Sequence, residues 1–73
     1  MTKHFTAIIE REDNWYVSLC PELDIASQGE TIEQARLNLK EAIELFFESA
    51  SKEEVNQRLH TEIYLTQLEV AIG

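Results

Sequence analysis

Cysteine is nearly absent from this chain: Cys20 is the only one in 73 residues. No intramolecular disulfide can form, and no zinc site built on paired thiolates is available. Such usage fits a reducing compartment, so a cytoplasmic location is expected. Long apolar runs are missing too. None approaches the ~20 residues that cross a bilayer, and no basic stretch followed by an apolar run opens the sequence as a secretory leader would, so no membrane partner is expected. There is no Gly-rich phosphate loop and no Gly-x-Ser-x-Gly elbow. Cations are scarce: six Lys and Arg stand against fourteen Asp and Glu, a formal charge of −8. Because phosphate neutralisation by Lys and Arg supplies most non-specific nucleic-acid affinity, no direct nucleic-acid binding is expected. A basic protein surface is the natural complement.

Residues 1–73 are read as a single domain, and one whose small core leaves it marginally stable unless a partner adds to it. Residues 4–11 and Trp15 to Cys20 are rich in β-branched and aromatic side chains and flank the polar Glu12-Asp13-Asn14, the pattern of a β-hairpin. Phe5, Ala7 and Ile9 share one face of the first strand. Trp15, Val17 and Leu19 share one face of the second, which assigns them to the core and turns Tyr16 toward a neighbour. Pro21 ends the second strand, and a short third strand is expected around Leu23 to Ser27. Gly29 marks a change of direction, and Thr31 with Gln34 forms a capping-box pattern.

The helix from Ile32 to about Ser49 carries Ile32, Ala35, Leu39, Ala42, Ile43 and Phe46 in one apolar stripe. Its opposite face holds Leu37, Glu41, Glu44, Leu45 and Glu48. Ser51 with Glu54 repeats the capping pattern and allows a short second helix. From Thr61 the pattern returns to period two, with Tyr64, Thr66, Leu68, Val70 and Ile72 on one side and Ile63, Leu65 and Ala71 on the other, which predicts a final strand. The expected fold is α+β, in the order β-β-β-α-β: a three- or four-stranded, mostly antiparallel sheet with one main helix on one face. Phe5, Ile9, Val17, Leu39, Ala42, Ile43, Phe46 and Val70 form the expected core.

Residues capable of chemistry are dispersed. His4, His60 and Cys20 lack the short spacing of metal ligands, and no metal or cofactor is expected. Neither histidine is placed beside Cys20 by local sequence, so the thiol reads as inert. The carboxylate pairs Glu12-Asp13, Glu22 with Asp24, and Glu53-Glu54 fall in segments that should be solvated, where general acid–base catalysis is disfavoured. The expectation is a protein that is not an enzyme.

Several motifs line up with a known family. Trp15-Tyr16-Val17, Cys20-Pro21-Glu22-Leu23, Ser27-Gln28-Gly29-Glu30-Thr31, Ala35, Asn38-Leu39 and Glu41-Ala42 resemble the segment that characterises HicB-like antitoxins. The resemblance spans roughly residues 5 to 48. It implies an antitoxin-like, protein-binding domain of a type II toxin–antitoxin system that occludes a small basic mRNA interferase of the HicA kind. Many such proteins also carry a C-terminal DNA-binding segment; the short form, without that segment, is expected here. Asp24-Ile25-Ala26 stands where many relatives have Pro-Gly-Cys. The alternative is a solitary nucleic-acid-binding or regulatory module with no toxin.

Under the leading reading, Leu37, Glu41, Glu44 and Glu48 on the outer helix face, with Tyr16, are the candidate partner-binding residues. Glu44 and Glu48 are a like-charge pair four apart near the negative end of the helix dipole, an arrangement unfavourable in isolation and complementary to a basic partner. One helix covers only one side of a sheet whose strands are apolar on both, so a homodimer or higher oligomer is also expected, formed through the open face or by strand pairing at an edge.

Overall fold

The computed structural model describes residues 2–73. Strands β1 (Ile8–Glu12), β2 (Trp15–Cys20) and β3 (Ile25–Gly29) form an antiparallel sheet in the order β1-β2-β3, followed by α1 (Ile32–Ser49) and α2 (Lys52–Arg58). The fold is α+β, with the main helix packed on one face of the sheet.

A two-residue connection joins β1 to β2, since Glu12 pairs with Trp15. No glycine is present there; Asp13 takes the left-handed conformation itself, at φ 52°, which a short polar side chain tolerates better than most. Its carbonyl accepts a hydrogen bond from Nε of Arg11 at 3.0 Å. Asp24 does the same work at the β2–β3 loop, at φ 54°. Helix α1 starts where Oγ1 of Thr31 accepts from the Gln34 backbone N–H at 3.0 Å. The second half of the expected capping box is replaced: the Gln34 side chain runs forward to Asn38, whose own amide donates to the carbonyl of Gln28. Around Ser51 both halves of the box are made, and α2 is the short second helix that the pattern allowed.

The core differs from expectation in its choice of strand face. Registers Ile9↔Ser18, Cys20↔Ile25 and Tyr16↔Gly29 place Tyr16, Ser18, Cys20, Ile25, Ser27 and Gly29 under α1. Cys20, Leu23, Ala35 and Leu39 are buried, with Phe5, Ile25, Ile43, Phe46 and Leu59 packed around them. Trp15, Val17 and Leu19 therefore lie on the open face, and Trp15 is 45% exposed. The cause is the close approach of the helix at Ala35, which admits only small side chains at Ser18 and Gly29 beneath it and leaves the larger Tyr16 and Ile25 to the flanks. Oγ of Ser18 donates to the carbonyl of Ala35 at 2.9 Å in a buried bond, so the polar member of the strand is satisfied inside while its larger apolar neighbours remain outside.

The final strand is the second correction. Residues 60–73 pair with no strand of the described chain, and Tyr64, Leu65, Leu68, Val70 and Ile72 are all exposed. Val70 is thus no part of the core. Period-two alternation shows that a segment can serve as a strand without saying which edge receives it. Here the chain emerges at His60, whose N–H donates to the carbonyl of Glu22 at 2.7 Å, and the segment projects. The radius of gyration is 14.4 Å, against about 11 Å for a compact chain of this length.

Candidate functional site

Helix α1 displays Leu37, Glu41, Glu44 and Glu48 to solvent, with Leu37 43% exposed. The four lie together opposite the buried Ala35 and Leu39, as their spacing requires. One of the carboxylates has a partner: Nζ of Lys40 donates to Glu44 at 3.0 Å, an exposed pair four residues apart. Glu41 and Glu48 have no cation within salt-bridge distance among the described residues, which leaves the face acidic around an apolar centre. Tyr16 does not join this group. It lies across the sheet under α1, half-buried, and the aromatic presented outward is its neighbour Trp15.

Two further surfaces stand out: the open sheet face, which was expected from sequence but with the opposite side of the strands outward, and a cleft that was not singled out. The open sheet face brings Ile8, Trp15, Val17 and Leu19 together, bordered by Glu10 and Glu12. Alternation does indicate two sides to each strand; what identifies the exposed one is the small-residue match among Ser18, Gly29 and Ala35. The second surface is a cleft of about 880 Å³ between residues 2–7 and the flank of α1. Phe5, Leu39, Ile43 and Phe47 line it, with Lys3, Arg36 and Lys40 and the carboxylates of Glu44 and Glu48 at its charged margin, where it meets the outer helix face. Phe5 and Phe47 stack across it with ring centroids 5.7 Å apart.

The titratable groups serve mainly to fasten loops. Burial alone would raise the Glu22 carboxyl, but Thr6 outweighs it: the Thr6 hydroxyl donates to Oε2 at 2.7 Å and its backbone N–H reaches both oxygens, holding the group below the ordinary glutamate value. Glu22 thus ties the N-terminal leg to the β2–β3 loop, in contrast to the solvated turn position expected for it. Burial pushes the Cys20 thiol up, and the nearby Glu22 carboxylate, 3.4 Å from Sγ, adds to the effect. Cys20 is consequently a protonated, packed thiol. Arg58 donates to the carbonyls of Leu23 and Asp24 and lies over the Phe46 ring at 5.8 Å, while His60 Nε2 stands 3.2 Å from Asp24. These contacts tie the end of α2 to the β2–β3 loop and to Phe46. Among the described residues no three His, Cys, Asp or Glu side chains gather as a metal would need, and no helix is long and apolar enough to cross a membrane.

No family model and no solved structure matches the chain. Curated relatives do. A UPF0150 protein from Synechocystis is 48% identical over 50 residues, covering 66% of this chain and 69% of the relative. A second from the same organism is 46% identical over 48 residues, 63% of this chain and 61% of the relative, so less than two thirds of that protein is spanned. A UPF0150 protein from Helicobacter pylori is 40% identical over 50 residues, covering 67% and 69%. With identities at this level across more than two thirds of two such proteins, the chain belongs to the UPF0150 family.

Proposed function

We propose that the protein is an antitoxin-like binding domain of a type II toxin–antitoxin system, which neutralises a small basic HicA-like mRNA interferase by covering it. The observation that carries this reading is the outer face of α1, where Glu41, Glu44 and Glu48 surround the exposed Leu37 in a chain of net charge −8. A rim of like charge around an apolar centre is the form of surface that meets a basic protein, with the charges steering encounter and the apolar residue adding burial. UPF0150 membership and the HicB-like motif segment support the same assignment. In this role the chain binds and does not catalyse, and it acts in the cytoplasm, where its messenger-cleaving partner would work.

The test pairs the purified protein with a HicA-like polypeptide encoded in the same genome. Expected are a stable complex and loss of the toxin's RNA cleavage. Reversing all three carboxylates (E41K/E44K/E48K) should slow association about tenfold or more in low salt, since charge complementarity acts chiefly on the on-rate. Absence of a complex would favour the solitary regulatory module. A complex with unchanged kinetics in the triple variant would move the toxin-binding surface elsewhere, with Trp15 and Leu19 on the open sheet face the next place to look.

A further inference from the structure

We infer that residues 61–72 are an exchanged strand: in a two-fold dimer each tail docks along the β1 edge of the second copy, against the cleft between residues 2–7 and α1. The tail itself gives the first indication. Leu68 is 84% and Ile72 94% exposed, in a segment with strand alternation and no ladder partner among the described residues. An apolar strand of this kind is not stable in water; it requires an edge.

The molecule offers one edge that fits. Strand β1 pairs only with β2, so its outer N–H and C=O groups are free to receive another strand. At the opposite edge the Gln28 carbonyl already accepts from Asn38. A strand added beside β1 has apolar surface on both sides: Phe5, Ile43 and Phe47 in the cleft, Ile8 and Leu19 on the open face. The tail matches this, since Tyr64, Leu68, Val70 and Ile72 share one side while Ile63 and Leu65 lie on the other.

Charge is a smaller contribution. Beyond His60 the tail carries Glu62 and Glu69 and no Lys or Arg. The cleft holds Lys3, Arg36 and Lys40 beside Glu44 and Glu48, and since Arg36 is paired with Glu33 and Lys40 with Glu44, Lys3 is the cation left to meet an acidic tail residue. The open sheet face is the weaker site for self-association: its apolar residues are about half as exposed as those of the tail, and apposing two copies sets Glu10 and Glu12 against their own equivalents. Reciprocal exchange buries two tails in two clefts, on the scale of the ~800 Å² per partner that stable interfaces need.

Sedimentation equilibrium on the full chain at micromolar concentration should give twice the 8.5 kDa of one chain. In a mixture of isotope-labelled and unlabelled protein, intermolecular NOEs should join the Leu68 and Val70 methyls to the Phe47 ring. The charge-neutral variant L68S/V70S should weaken the dimer roughly 30-fold or more, the scale of a hot-spot loss, with far-UV circular dichroism retained because neither residue belongs to the core. A monomer mass would overturn the inference, whether its tail is free or folded onto its own cleft. So would a dimer whose intermolecular NOEs run through Trp15 and Leu19, or one that the double substitution leaves intact.

Discussion

Gly29 and Ala35 meet backbone to backbone: a Cβ on Gly29 would stand 2.5 Å from the Ala35 nitrogen and 2.8 Å from the Gln34 carbonyl carbon. Gly29 is buried and its φ is negative, so lack of space, not backbone freedom, requires glycine here. Because the obstacle is main chain at the start of α1, it cannot rotate away. Gly29→Ala should destabilise by at least the ~1–3 kcal/mol of ordinary overpacking, lowering Tm by about 4–8 °C per kcal/mol in a domain of this size. Thermal melts at matched protein concentration check this. An unchanged Tm would mean that β3 and the helix do not approach as described.

The inward face of β2 can be tested by a reversed pair of substitutions. Ser18→Val places two methyl groups where the hydroxyl bonds to Ala35, and should cost about 2 kcal/mol or more through overpacking. Ser18→Ala should cost only about 1 kcal/mol, the net worth of one hydrogen bond. Val17→Ser, on the open face, should cost less than Ser18→Val even though it removes apolar volume. Urea midpoints for the three variants decide the matter. The opposite ranking would put Trp15, Val17 and Leu19 back inside.

Much of the fold was legible because local signals agreed. The apolar stripe of α1 placed Ala35 and Leu39 correctly, Thr31 and Ser51 marked both helix starts, and the hairpin turn was located without glycine. The face of β2 was misread because hydrophobicity ranks Trp15, Val17 and Leu19 above Tyr16, Ser18 and Cys20. The deciding quantity was size under a close helix, which shows only when Gly29 and Ala35 are brought together in space. Tyr16, expected to face outward, lies under α1 by the same inversion. The outer helix residues Leu37, Glu41, Glu44 and Glu48 were legible, since helical periodicity fixes a face once its opposite is known. The cleft beside Phe5 was not, because it joins positions some forty residues apart in sequence.

The balance within the core gives a further prediction. Leu39 is 2% exposed at the centre of the cluster, whereas Phe46 is half-buried at its margin. Leu39→Ala should therefore fall in the ~2–5 kcal/mol range for a buried leucine, and Phe46→Ala, despite its larger volume, should fall below the ~3–5 kcal/mol of a fully buried ring. The latter also removes the surface on which Arg58 lies. α2 should then lose protection in hydrogen exchange before the sheet does. Equal protection losses in α2 and β2 would argue against a marginal position for Phe46.

Glu22 sets the response to acid. Its carboxylate is held below the ordinary value of 4.5 in the folded state by Thr6, so the folded protein binds that proton less readily than the unfolded chain. The resulting stability is fully present above about pH 4.5 and is lost as the pH falls through the depressed folded value. Partial exposure to solvent limits its size, and Glu22→Gln should cost about 1 kcal/mol at pH 7, comparable to one net hydrogen bond. The informative quantity is the difference between the two proteins across pH. At neutral pH the variant should unfold at lower urea; as the pH falls through the depressed folded value and the native carboxyl takes up its proton, the two midpoints should converge. Thr6→Val should reproduce part of the effect, since it removes the hydroxyl and keeps the backbone N–H that also reaches Glu22. A gap between wild type and Glu22→Gln that stayed constant from neutral pH until both proteins unfold in acid would show that the loop is held by the shape of the side chain and not by its charge.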